Sequence, residues 1–130
     1  HMDDLIGDVL EELEAQGLGG HTLVVFITDH GQSNNPWSPA KGNVLRQGSH
    51  VPLVIRSPGM KNTGQACSRV VEYIDLLPTL LDLCGLPAEP VLEGRSLRPL
   101  LEDPSRAWDH FAQITHIRGN SVGRGLIKGD

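Results

Sequence analysis

Leu23-Val24-Val25-Phe26-Ile27-Thr28-Asp29-His30-Gly31 is a hydrophobic run that stops at a carboxylate, an imidazole and a glycine. A short run rich in Val, Ile and Phe reads as a strand buried on both faces, as in a parallel sheet. In open α/β sheets ligands bind beyond the carboxyl ends of the strands. Asp29 and His30 therefore stand where chemistry is expected, and both are donors suited to a divalent cation. Taken alone, a solvated Asp and an ordinary His would end a strand in the same way. Ca²⁺ wants about 6–8 oxygen ligands, and no second carboxylate pair follows another strand.

Upstream, Asp3-Asp4 is an N-cap region, and Leu5, Ile6, Val9, Leu10 and Leu13 recur at helical spacing. Gly17 stops this helix and Gly19-Gly20 turn the chain into the strand at 22–28. Helix, short loop and buried strand make half of a βαβ unit. Downstream, residues 31–49 are polar, rich in Gly, Asn, Ser and Pro, and without hydrophobic period; they read as a long functional loop. Val51 to Arg56 is a second strand with Pro52 near its start. Ser68 to Tyr73 reads as a short strand. Asp75 to Leu83 reads as a helix with Pro78 in its first turn and Gly85 as its stop. Gly94-Arg95-Ser96-Leu97 leads into a short helix halted by Pro104. From Trp108 the Phe111/Ile114 alternation is weak, and Val122, Leu126 and Ile127 suggest a closing strand.

The 130 residues suffice for one domain with a core. Hydrophobic content of 38% and charged content of 21% set disordered and fibrous classes aside. A net charge of −5 and the lack of any Lys/Arg cluster argue against nucleic acid as a partner. No apolar run is long enough to span a bilayer, which argues against a membrane partner. The first residues, His1-Met2 and an acidic helix, lack the order of a signal peptide and leave the compartment unspecified. Cys67 and Cys84 have no metal-ligand spacing and read as free, partly buried thiols.

Lys41-Gly42 lies in the polar loop beyond the first strand, where a lysine can neutralise a sulfate or phosphate as a point charge. His50 precedes the second strand and suits either a structural or a site role. His110 and His116 have no identifiable partners and read as surface residues. Neither a GxSxG elbow nor a Walker loop nor GxGxxG is present, so an attacking group is missing.

The collinear order of six segments resembles the sulfatase family. They are Asp3-Asp4-Leu5-Ile6-Gly7-Asp8-Val9-Leu10, Thr22 to Gly31, Lys41-Gly42, His50 to Gly59, Asp75 to Leu83, and Gly94 to Leu101. The resemblance implies an α/β fold, a partial alkaline-phosphatase-like sandwich with a mostly parallel sheet flanked by helices, truncated at both ends. It implies hydrolysis of sulfate esters, with a formylglycine made from Cys or Ser and a bound divalent cation, usually Ca²⁺. By that resemblance Asp29 and His30 match the second pair of metal ligands, and Lys41 matches the catalytic lysine that contacts the substrate sulfate. His50, where many relatives carry Arg, joins Lys41 as a substrate-binding candidate.

The departures are equally specific. The nucleophile motif, Cys or Ser followed by x-Pro-x-Arg, is absent, as are the family's first metal pair of two acidic residues and its His and Lys near the nucleophile. The expectation is a fragment: residues 3–88 the second part of a catalytic domain, residues 89–130 a linker and the start of a C-terminal subdomain. Such a piece binds metal weakly and has little activity alone. A homo-oligomer is expected to cover its bare sheet. Two alternatives stay open: a non-catalytic binding or assembly module, and a phosphodiester or phosphonate hydrolase fragment of the same superfamily.

Overall fold

A computed structural model describes residues 1–31, 41–42 and 44–129. Helix α1 spans Met2–Ala15, strand β1 Val24–Ile27, a one-turn helix α2 Arg46–Ser49 and strand β2 Leu53–Arg56. A 3₁₀ turn at Tyr73–Asp75 runs into α3, Leu76–Leu83, and α4 spans Arg98–Glu102. Strands β3, Phe111–Arg118, and β4, Ser121–Lys128, close the chain as a hairpin. The expected loop at 31–49 falls partly on residues 32–40 and 43, which lie outside the described residues.

The apolar run at 22–28 does form a strand, but its pairing differs from the expected one. β1 and β2 are antiparallel, with Val24 opposite Arg56 and Ile27 opposite Leu53. β3 and β4 are antiparallel as well, so among the described residues neither sheet contains a parallel pair. The physical reason lies in the connection. A parallel pair needs a crossover, usually a long helix, whereas the described part of the β1–β2 link contains only the one-turn α2. Nor is β1 buried on both faces: Val24, Val25 and Phe26 are half-buried and Ile27 is exposed. A short apolar run carries no information about strand direction, which its partner decides. The mixed α/β fold class stands.

α1 begins at Met2, one residue before the expected acidic cap. Asp3 and Asp4 occupy its first turn, where negative charge suits the helix dipole, and Asp4 pairs with the amino terminus. Ile6, Leu10 and Leu13 are half-buried, while Leu5 and Val9 on the same apolar side stay exposed. The helix ends in a Schellman motif: Gly17 N–H donates to Glu14 O and Leu18 N–H to Leu13 O. α3 ends in the same way, through Gly85 to Asp82 and Leu86 to Leu81.

The core is small and partly polar. Leu97, Leu100, Ala112 and Pro78 are buried, and Asp75 and Thr79 are fully buried beside them. Asp75 accepts the backbone N–H of Glu72 at 2.9 Å and of Arg95 at 2.8 Å. Thr79 Oγ1 donates to Asp75 O at 2.5 Å and accepts Leu97 N–H at 2.8 Å. Two side chains of the α3 segment thereby satisfy the loop that leads into α4, and every bond in the set has a complementary donor and acceptor.

Other expectations change here. Residues 68–71 form no strand; Arg69 and Val70 are held instead by side-chain bonds to the 105–108 loop, with Trp108 Nε1 donating to Val70 O at 3.1 Å. His110 is not a surface residue. It is about 11% exposed and lies 3.0 Å from Glu72 Oε2 and 3.8 Å from Asp75 Oδ2. These partners are far away in sequence, which is why spacing did not reveal them. Cys67 and Cys84 are free, as expected, but exposed rather than partly buried.

The accessible surface is 9778 Å². A compact monomer of 14.1 kDa would expose about 6,700 Å². The excess includes large apolar side chains on α1 and both sheets, among them Leu5, Val9, Ile27, Val54 and Leu126.

Candidate metal and anion site

The strand end positions the first two candidates. Asp29 Oδ1 accepts His30 N–H at 2.9 Å and the Thr28 hydroxyl at 3.4 Å. That turns Oδ2 toward the imidazole, where it lies 3.1 Å from His30 Nε2. His30 Nδ1 is 3.1 Å from Gly31 O. A carbonyl and a carboxylate both only accept, so the Gly31 carbonyl orients the ring through Nδ1 while Nε2 faces Asp29 Oδ2, the edge that a cation would bridge. Gly31 is fixed in turn: its N–H donates to Gly48 O at 3.0 Å, and a Cβ there would stand 1.8 Å from Gln47 O. Only glycine allows the strand end to lie this close to α2.

These donors fit a divalent cation. An ion about 2.4 Å from both would see Asp29 Oδ2 and His30 Nε2 roughly 80° apart, an ordinary adjacent pair in six- to eight-fold coordination. Two donors are only part of a shell. Among the described residues no group of three or more His, Cys, Asp or Glu side chains could hold a metal.

Tyr73 supports the same strand end. Its hydroxyl donates to Thr28 O. Burial, and then the Asp29 carboxylate, push the Tyr73 phenol above its ordinary pKa. This partner is invisible to local spacing, since Tyr73 lies 45 residues beyond Thr28.

His50 caps the C-terminus of α2, its N–H donating to Arg46 O at 2.8 Å. The antiparallel register places it at the same end of the β1–β2 ladder as Asp29. Asp29, His50 and Tyr73 line one broad open groove of about 1720 Å³. Lys41 is exposed in a turn and does not line that groove. The structure thus brings Asp29 and His30 together, sets His50 in the Asp29 groove, and holds Lys41 on a separate turn.

Comparison with known proteins supplies the class to which this mixed α/β scaffold belongs. The Sulfatase family matches residues 1–86. Arylsulfatase K of Xenopus laevis is 38% identical over 104 residues, 79% of this chain and 19% of that protein. Steryl-sulfatase of Homo sapiens is 32% identical over 125 residues, 84% of this chain and 20% of that protein. The phosphonate monoester hydrolase from Silicibacter pomeroyi superposes with a TM-score of 0.78 at 34% identity, covering 88% of this chain and 23% of that one. The structure of BT4656 in complex with its substrate D-glucosamine-2-N,6-O-disulfate superposes with a TM-score of 0.84 over 97% of this chain and 27% of that one; at 24% identity it shows the fold alone. The chain belongs to the sulfatase family and has its alkaline-phosphatase-like fold. It spans about a fifth of the length of the curated relatives it matches. That family generally uses a metal ion and a formylglycine.

Proposed function

We propose that this chain carries part of the site of a sulfuric ester hydrolase, with Asp29 and His30 as metal ligands and Lys41 and His50 as contacts to the substrate. The observation that carries the reading is the 3.1 Å approach of Asp29 Oδ2 and His30 Nε2 at the strand end. Ca²⁺ is the proposed ion. Bound there, it supplies positive charge against the charge that develops on the ester oxygens. Asp29 and His30 would hold two adjacent positions on it, with the Gly31 carbonyl orienting the imidazole through Nδ1. Lys41 offers the sulfate a point charge.

Sulfate esters are the proposed substrates, in keeping with the arylsulfatase and steryl-sulfatase relatives. The 130 residues contain no Cys/Ser-x-Pro-x-Arg segment from which a formylglycine could arise. We therefore expect anion and metal binding without turnover. The test is hydrolysis of an aryl sulfate by the purified chain in millimolar Ca²⁺, expected at background. Turnover that Asp29→Ala abolishes would overturn this. The likeness to a phosphonate monoester hydrolase favours a second reading, in which the ester is a phosphonate. Tighter binding of methylphosphonate than of inorganic sulfate would select it.

Residues 3–88 are proposed as the catalytic part and 89–130 as the beginning of a second subdomain, a division supported by the family match ending at residue 86. A homo-oligomer is proposed to cover the exposed apolar surface.

A further inference from the structure

The hairpin β3–β4 lies outside the family match, yet it touches the turn that carries Lys41. Along β3, Ala112 is buried and Ile114 and His116 are half-buried, whereas Gln113, Thr115 and Ile117 are exposed. The inward residues pair with Ile127, Gly125 and Gly123 on β4. Two glycines opposite Ile114 and His116 leave a trough on that face, and Val44 fills it. A Cβ built on Gly123 would stand 3.3 Å from Val44 Cγ1, and one on Gly125 3.3 Å from Val44 Cβ. The turn ahead of Val44 is thereby held against the hairpin. At Gly42, whose φ is +82°, an added Cβ would stand 3.5 Å from His116 Nε2. The imidazole thus ends against the residue next to Lys41. Among the described residues, neither the His116 ring nor the Lys41 ammonium has a hydrogen-bond or ion-pair partner.

We propose that His116 is a substrate-positioning residue: with Lys41 it forms a two-point contact for the oxygens of a tetrahedral oxyanion, so the C-terminal hairpin contributes to a site otherwise built from the family-matched segment. This rests on the reading of Lys41 as the sulfate contact. Lysine supplies charge without direction, and an imidazole N–H beside it supplies direction. Val44, seated over Gly123 and Gly125, and Gly42, beside His116 Nε2, bring the two segments together.

The probe is inorganic sulfate, titrated into the full chain at constant ionic strength. Binding is read from the long-range proton–nitrogen correlations of the His116 ring and from backbone amide shifts. The His116 ring signals are expected to move with sulfate. His116→Leu should weaken binding about tenfold, the scale of one lost hydrogen bond to a charged group. His116→Gln, whose amide N–H can stand near the place of Nε2, should recover part of it, which a purely structural role would not produce. Backbone spectra confirm that each variant is folded, and Arg124→Gln, on the outer side of the same hairpin, should bind like the parent. If Lys41→Ala weakens binding but His116→Leu does not and the ring signals stay still, the proposal is overturned while the Lys41 reading survives. If His116→Leu weakens binding and Lys41→Ala does not, the Lys41 reading falls and the shared contact with it. Sulfate binding that neither substitution changes, or no binding at all, overturns both.

Discussion

Asp29 Oδ2 and His30 Nε2 stand 3.1 Å apart on consecutive residues, with the imidazole oriented by Gly31 O, 3.1 Å from Nδ1. This edge is preorganised, but it offers only two ligands. Calorimetric titration with Ca²⁺ should give a Kd of about 10⁻³ M or weaker, the range of the least charged calcium sites. Asp29→Asn should remove the binding, because the amide oxygen carries no charge. Binding of equal strength in Asp29→Asn would remove this pair from the site.

Tyr73 offers an independent view of the same strand end. It is the only tyrosine in the chain, so ultraviolet titration near 295 nm reads one phenol. Burial first, and then the Asp29 carboxylate, raise its pKa. The phenolate should therefore form above the ordinary tyrosine range, and Asp29→Asn should move the transition back part of the way. An unchanged midpoint in that variant would mean that the carboxylate does not face Tyr73.

Asp75 links α3 to the loop before α4. Replacing it by Asn keeps the shape but turns an amide N–H₂ toward a backbone N–H. One hydrogen bond is lost and a buried donor is left without an acceptor. The expected cost is about 1–3 kcal/mol, measured by urea unfolding. A loss under about 0.5 kcal/mol would show that the buried set relaxes around the amide.

Much of this architecture was legible in the sequence, and what was not has identifiable causes. α1, β1, β2, α3 and α4 follow from periodicity, glycine stops and proline positions. The direction of β1 relative to β2 did not, because an apolar run of four residues reads the same either way. β3 was blurred because both its faces carry apolar residues: Phe111 and Ile117 are exposed, while Ala112 and Ile114 turn inward. For the site, Asp29 and His30 stood out as a pair at a strand end. Tyr73 and His110 did not, because each acquires its partners only through the fold, from residues tens of positions away in sequence.

Asp82 should govern the acid limit of the α3–α4 contact. Its carboxylate accepts the Ser96 hydroxyl at 2.5 Å and Arg98 Nη1 at 3.1 Å. The Ser96 bond first, then Arg98, hold its pKa below the usual carboxylate value, against an opposing effect of burial. A carboxyl depressed in the folded state binds fewer protons there than when unfolded. Its stabilisation is therefore complete above the ordinary carboxylate range and is lost as pH falls through the lowered value. Ser96→Ala removes the largest cause, so acid unfolding should begin at higher pH. The same onset in variant and parent would assign the acid limit to other groups.

The exposed surface leads to a prediction about association. The chain exposes about 3,000 Å² more than a compact monomer of its mass. A standard interface buries about 800 Å² per partner, so the excess exceeds what one dimer contact covers. Part of it is the β1–β2 pair, a two-stranded sheet with Ile27 and Val54 exposed. Unpaired strand edges carry backbone donors and acceptors that a second copy can satisfy. Size-exclusion chromatography with light scattering should therefore report a dimer or larger species at micromolar concentrations. Val54→Lys places a charge on the exposed face of β2, outside the metal pair, and should shift the population toward monomer without loss of helical signal. A parent chain that stays monomeric and cooperatively folded at high concentration would show that this surface is stable in water and needs no second copy.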